Sequence, residues 1–89
     1  MMQLTMSSRG NPDFQQDPDR ALSPDVMLTV ATFQEASAAC EAYIGQYNLG
    51  GGNWTGGQIC KQGQQLVRVS YNGRVWDMDE RCVYDPFKA

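Results

Sequence analysis

The sequence predicts an α+β fold: a single helix packed on a small, mainly antiparallel sheet, in the order β-α-β-β-β, with a polar N-terminal arm. Three observations predict it. Val26-Met27-Leu28-Thr29-Val30 is a short apolar, partly β-branched run of strand type. Thr32-Phe33-Gln34-Glu35 opens a stretch whose apolar residues recur at helical spacing. Asn72-Gly73 joins two β-rich runs, the strongest short-range hairpin signal, because a two-residue type I′ turn needs positive φ at both positions.

The elements follow in chain order. Residues 1–24 hold three of the four prolines and many polar side chains, and read as an extended arm without a core of its own. Phe14 and Leu22 are its expected anchors. Residues 25–89 form the single α+β domain, which starts with the 26–30 strand. Thr32 and Glu35 then make a capping box, each satisfying backbone N–H groups at the helix start. Phe33, Ala36, Cys40, Tyr43, Ile44 and Tyr47 share one face of a helix running to about Tyr47. Asn48 and Gly50 supply left-handed conformations for its stop.

A glycine-rich loop, Gly50–Gly57, comes next. It lacks the lysine of a phosphate-binding loop and follows a helix where such a loop opens one. Asn53-Trp54-Thr55 matches the N-glycosylation pattern, which carries no weight without a secretory signal. Residues 58–61, 66–71 and 74–78 read as strands, and 82–84 as a short edge strand. A two-residue turn would set Val69 against Trp76, Arg68 against Asp77 and Val67 against Met78. The valines, Trp76 and Met78 would then face the helix, with Arg68 and Asp77 as an ion pair on the other face.

Composition narrows the function. A chain of 89 residues forms one domain, burying roughly 60–65% of the surface it exposes unfolded, which leaves little room for a deep cleft. There is no histidine, so the usual general base and every Ser-His or Cys-His nucleophile are missing. The expectation is a protein that is not an enzyme, without cofactor or metal. Zinc needs about four ligands, and three scattered cysteines do not supply them. Cys40, Cys60 and Cys82 read as reduced thiols, with a Cys60–Cys82 disulfide as the alternative.

The net charge of −3 and seven scattered basic residues argue against nucleic acid as a direct ligand, and suit a basic protein partner. No apolar run approaches the ~20 residues of a membrane helix, and residues 1–14 show no secretory h-region, so the expected location is cytoplasmic. Two features are candidates for partner binding. Trp54, among glycines, is either a lid on the helix or an exposed aromatic anchor. Asp77, Asp79 and Glu80 form either a solvated turn or an acidic patch.

The segments TFQEASAACEAYI, NLGGGNWTGG and VRVSYNGRVWD resemble short proteins encoded by phages and plasmids, over residues 32–77. The arm before residue 25 and the tail after Asp79 depart from it. The resemblance implies a non-catalytic inhibitor of a bacterial defence system, most of all an anti-CRISPR protein acting in the bacterial host cell. Trp54, Asp77, Asp79 and Glu80 would then meet a basic nucleic-acid-binding surface of a Cas complex. The alternatives are a small structural or accessory phage protein, held by β-augmentation, and a protein that sequesters a small molecule such as a nucleotide under the glycine-rich loop.

Overall fold

A computed structural model describes residues 1–88. One helix packs on a six-stranded, wholly antiparallel sheet. The strands are β1 (Met2–Met6), β2 (Val26–Val30), β3 (Gly57–Lys61), β4 (Gln64–Val69), β5 (Val75–Asp77) and β6 (Cys82–Tyr84), and the helix α1 is Phe33–Gln46. Across the sheet the order is β2-β1-β3-β4-β5-β6. The α+β class and the single helix on a mainly antiparallel sheet are therefore as the sequence predicts.

The N-terminal arm is not. Residues 2–6 form an interior strand, hydrogen-bonded to β2 on one side and β3 on the other. Met-Gln-Leu-Thr-Met alternates at period two, so Leu4 and Met6 are buried toward the helix while Gln3 and Thr5 face away. The prolines that make residues 1–24 read as one unit all lie beyond this strand. A domain beginning at residue 25 would leave β2 with no strand to pair with. Phe14 (75% exposed) and Leu22 (40% exposed) anchor nothing.

What ties residues 7–25 down is polar. The Leu22 amide donates to Ser8 Oγ at 3.1 Å, and Ser8 pairs with Ser23. Ser23 pairs with the Tyr43 hydroxyl at 2.6 Å, which donates to the Pro24 carbonyl at 2.8 Å. Only one direction satisfies every group: Ser8 donates to Ser23, Ser23 to Tyr43, Tyr43 to Pro24. All three side chains are buried. Removing one hydroxyl would leave its neighbours unpaired, at a cost of about 1–3 kcal/mol.

The helix starts at Thr32 as the capping box predicts, but Glu35 reaches the amide of Ala31 and not that of Thr32. Thr32 Oγ1 accepts from the Glu35 amide at 3.1 Å, and Glu35 Oε2 reaches back to the Ala31 amide at 3.0 Å. Ala36, Cys40 and Tyr43 are buried against the sheet. Beneath Cys40 runs a row of small residues, Gly57, Val69 and Val75. A β-carbon on Gly57 would lie 2.6 Å from Cys40 Sγ, so helix and sheet are in direct contact there.

That narrow gap explains a second correction. The β4–β5 connection has three residues, Tyr71-Asn72-Gly73: Ser70 and Arg74 close it (Ser70 N to Arg74 O, 2.9 Å), and only Gly73 has positive φ, at 88°. Asn72 uses its side chain instead, accepting from Ser70 Oγ and the Arg74 amide. The register moves by one residue, and every β5 side chain changes face. Val75 lies opposite Val69, inside, and Trp76 lies opposite Arg68, on the open face. Valine fits under Cys40; tryptophan does not. Met78, expected in the core, is 62% exposed.

Leu4→Ala is expected to lower the unfolding free energy by about 2–5 kcal/mol, and Phe14→Ala to change it by about 0.5 kcal/mol or less. Urea denaturation reads both. Equal effects would contradict the interior placement of β1.

Candidate functional site

The four residues singled out from sequence divide into two that hold the fold and two that face solvent. Trp54 is half-buried. Its Nε1 donates to the Val69 carbonyl at 3.0 Å, and its ring tilts against Tyr43 with centroids 5.9 Å apart. It also forms an isolated bridge to Ser8. Trp54 is the lid on the helix, fixed at the end of β4.

Asp77 is also internal in its bonding. Its carboxylate Oδ1 accepts from the amides of Asp79 and Arg81, each at 2.9 Å. Its own amide donates to the Arg81 carbonyl at 2.9 Å, and its carbonyl accepts from Glu80 at 3.1 Å. Short polar side chains that bond their own backbone in this way set tight turns. The β5–β6 connection is therefore tied at its base, with Glu80 at φ 63°. Met78, Asp79 and Glu80 project from it, all exposed.

The expected Arg68–Asp77 pair does not form, because Asp77 lies opposite Val67. Arg68 instead reaches the turn, with Nη2 2.7 Å from Glu80 Oε2. Both side chains are well exposed, at 41% and 71%, so the pair contributes about 0–1 kcal/mol. Arg68 also lines a shallow groove of about 240 Å³ with Trp54, Gly56, Ser70 and Tyr71. Arg68 thus stands between Trp54 and Glu80. The acidic patch narrows to Asp79 and Glu80, and Glu80 is already paired.

A larger open groove, about 410 Å³, lies beside β5 and β6 and is lined by Arg74, Trp76, Tyr84, Asp85 and Lys88, among others. The sequence gives no sign of it, since the register shift is what brings Trp76 to this face. Two of its three charges pair with each other. Arg74 Nε lies 3.2 Å from Asp85 Oδ2, and its guanidinium carbon sits 5.3 Å from the Phe87 ring centroid. The Phe87 amide, and then Arg74, hold the Asp85 carboxyl below its ordinary range against some desolvation.

One side of the glycine-rich loop is filled by its own chain, while Gly51, Trp54, Thr55 and Gly56 on the other line the groove of about 240 Å³. Asn53 Nδ2 donates to the Arg9 carbonyl at 3.0 Å and to Gln16 Oε1 at 2.9 Å, and Asn53 Oδ1 accepts from Gly50. A β-carbon on Gly52 would lie 2.1 Å from Asn11 Nδ2. On its filled side the loop closes over residues 9–16.

The three cysteines are free. Cys60 and Cys82 sit on β3 and β6, with two strands between them, at least roughly 14 Å apart at the usual strand spacing and outside disulfide reach. No group of three or more His, Cys, Asp or Glu among the described residues could hold a metal ion. No helix among the described residues is long and apolar enough to cross a membrane.

Fold and site together define an α+β domain with one helix on an open antiparallel sheet and a tied, protruding turn. Comparison with protein-family models, curated proteins and solved structures finds no match.

Thiol labelling tests this placement. Cys82 is expected to react first and Cys60 more slowly, with Cys40 reacting only on unfolding. Burial pushes the Cys40 thiol from 9.0 up to about 12. The folded state keeps a proton that the unfolded chain releases, so this contribution to stability is whole below pH 9 and is lost as pH rises to about 12. Labelling of Cys40 in the native protein at the rate of Cys82 would contradict the packing.

Proposed function

We propose that this protein is a non-catalytic protein-binding module whose contact is the tip of the β5–β6 turn, Met78, Asp79 and Glu80. The observation that carries this reading is the tied turn. Asp77 fixes its backbone by two side-chain bonds, so an exposed methionine flanked by two carboxylates is presented in one conformation. A contact that is ordered before binding loses little entropy on association. Methionine is enriched at interfaces, and the carboxylates select a basic partner surface.

The finer reading is an inhibitor of a bacterial defence system, an anti-CRISPR protein that covers a basic nucleic-acid-binding surface of a Cas complex from within the host cytoplasm. The resemblance over residues 32–77 and the net charge of −3 support it. Trp54 and Asp77 act here as positioning residues. Trp54 holds the end of β4, and Asp77 holds the turn.

The experiment is a tagged pull-down from a lysate expressing several CRISPR effector complexes, read by mass spectrometry. One Cas complex in near-stoichiometric amount is expected, lost when Asp79→Lys and Glu80→Lys are combined in a protein whose circular dichroism is unchanged. Capture that survives the reversal would remove the turn from the interface. Failure of the wild-type chain to retain any Cas complex would sink the anti-CRISPR reading.

A further inference from the structure

The chain has four asparagines, followed in turn by Pro12, Leu49, Trp54 and Gly73. An asparagine side-chain amide is open to attack by the backbone nitrogen of the next residue, and asparagine is thermolabile for this reason. Proline has no N–H to give up, and the side chains of leucine and tryptophan crowd the approach. Gly73, with no β-carbon, leaves it clear. The surroundings differ as well. Asn53 spends both ends of its amide inside the protein, on Arg9, Gln16 and Gly50. Asn72 stands exposed at the β4–β5 turn. Its Oδ1 accepts from Ser70 Oγ at 2.6 Å and from the Arg74 amide at 3.2 Å. Two donors are thus already aimed at the oxygen that takes up negative charge when Cγ is attacked.

We propose that Asn72 is a site of spontaneous deamidation, and that its isoaspartate product opens the β4–β5 hairpin. Hydroxide takes the Gly73 amide proton, and that nitrogen forms a bond to Asn72 Cγ. The Cγ–Nδ2 bond breaks and ammonia leaves, which closes a cyclic succinimide. Water then adds to one of its two carbonyls. Opening one way gives aspartate; opening the other routes the main chain through Cγ as isoaspartate. The Gly73 N–H donates to the Ser70 carbonyl at 2.9 Å, so attack waits on local opening of this bond at the turn. The two products differ for the fold. Aspartate keeps the oxygen that Ser70 and Arg74 bond, and adds one negative charge to a net of −3. Isoaspartate adds a backbone carbon to a turn with no slack. The Gly73 carbonyl accepts from the buried Ser37 Oγ at 2.7 Å. A β-carbon on Gly73 would lie 3.1 Å from Ser37 Oγ and 3.3 Å from Pro86 Cγ. The turn is held between helix and tail while Val75 stays opposite Val69, so the added carbon costs either the Ser37 bond or the register. The proposal stands whatever the β5–β6 turn binds.

Peptide-mapping mass spectrometry of the native protein, held at mildly alkaline pH, tests the site. The mass shift of NH exchanged for O is expected at Asn72, with none at Asn11, Asn48 or Asn53 over the same period. Asn72→Gln should lose the shift, because its longer side chain closes a larger ring more slowly. A first shift at any other asparagine would overturn the proposal, as would a native chain still unmodified when the free peptide of residues 66–78 has fully converted. Thermal unfolding reads the products. Asn72→Asp is expected to unfold with the wild type. An aged sample should show a second, earlier transition whose amplitude follows its isoaspartate content, measured by isoaspartyl methyltransferase labelling. A single unchanged transition at high isoaspartate content, or an Asn72→Asp protein that unfolds as early as the aged fraction, would contradict the opening of the hairpin by isoaspartate.

Discussion

The sheet depends on β1. One of its ladders joins β2, and the other joins β3 residues more than fifty positions away. Without it β2 has no partner and β3 becomes an edge, and Leu4, in the same row as Leu28, Ile59 and Val67, leaves a hole beneath the helix. The rest of the N-terminal region serves this placement. The Ser8–Ser23–Tyr43 chain returns residues 7–25 over the helix, so that β2 can come back beside β1. Asn53 clamps the same region from the glycine-rich loop. Buried and fully satisfied, such polar networks specify one arrangement.

Local signals were readable in the sequence and non-local ones were not. The capping box, the helix face and the 26–30 strand all concern residues within a few positions of one another, and the structure keeps each of them. The alternation in residues 2–6 was also present. It was masked by the prolines beyond it, and its burial depends on a partner at residues 58–60 that no local pattern announces. The Asn72-Gly73 hairpin exists, but its register was set by depth. The row Gly57–Val69–Val75 must be thin to admit Cys40, and this overrides the two-residue turn that Asn-Gly favours.

The same slip decided the candidate site. With Asp77 opposite Val67 and Arg68 turned to Glu80, the carboxylate expected in a cross-strand pair becomes the brace of a turn. Sequence proximity grouped Asp77, Asp79 and Glu80 as one acidic patch, whereas the backbone bonds divide them into one brace and two exposed charges. Trp54 changes role for a similar reason. Nothing apolar adjoins it in sequence, and its neighbours in space are Tyr43 and the end of β4, eleven and fifteen positions away.

The interior position of β1 is tested most directly by native-state amide hydrogen exchange. The account predicts that the amides of residues 3–5 exchange only through global unfolding, with the same protection as those of residues 58–60 and 67–69. Exchange of residues 3–5 at the rates of the exposed segment 12–20 would contradict it, and would return the N-terminal region to the status of a detachable arm.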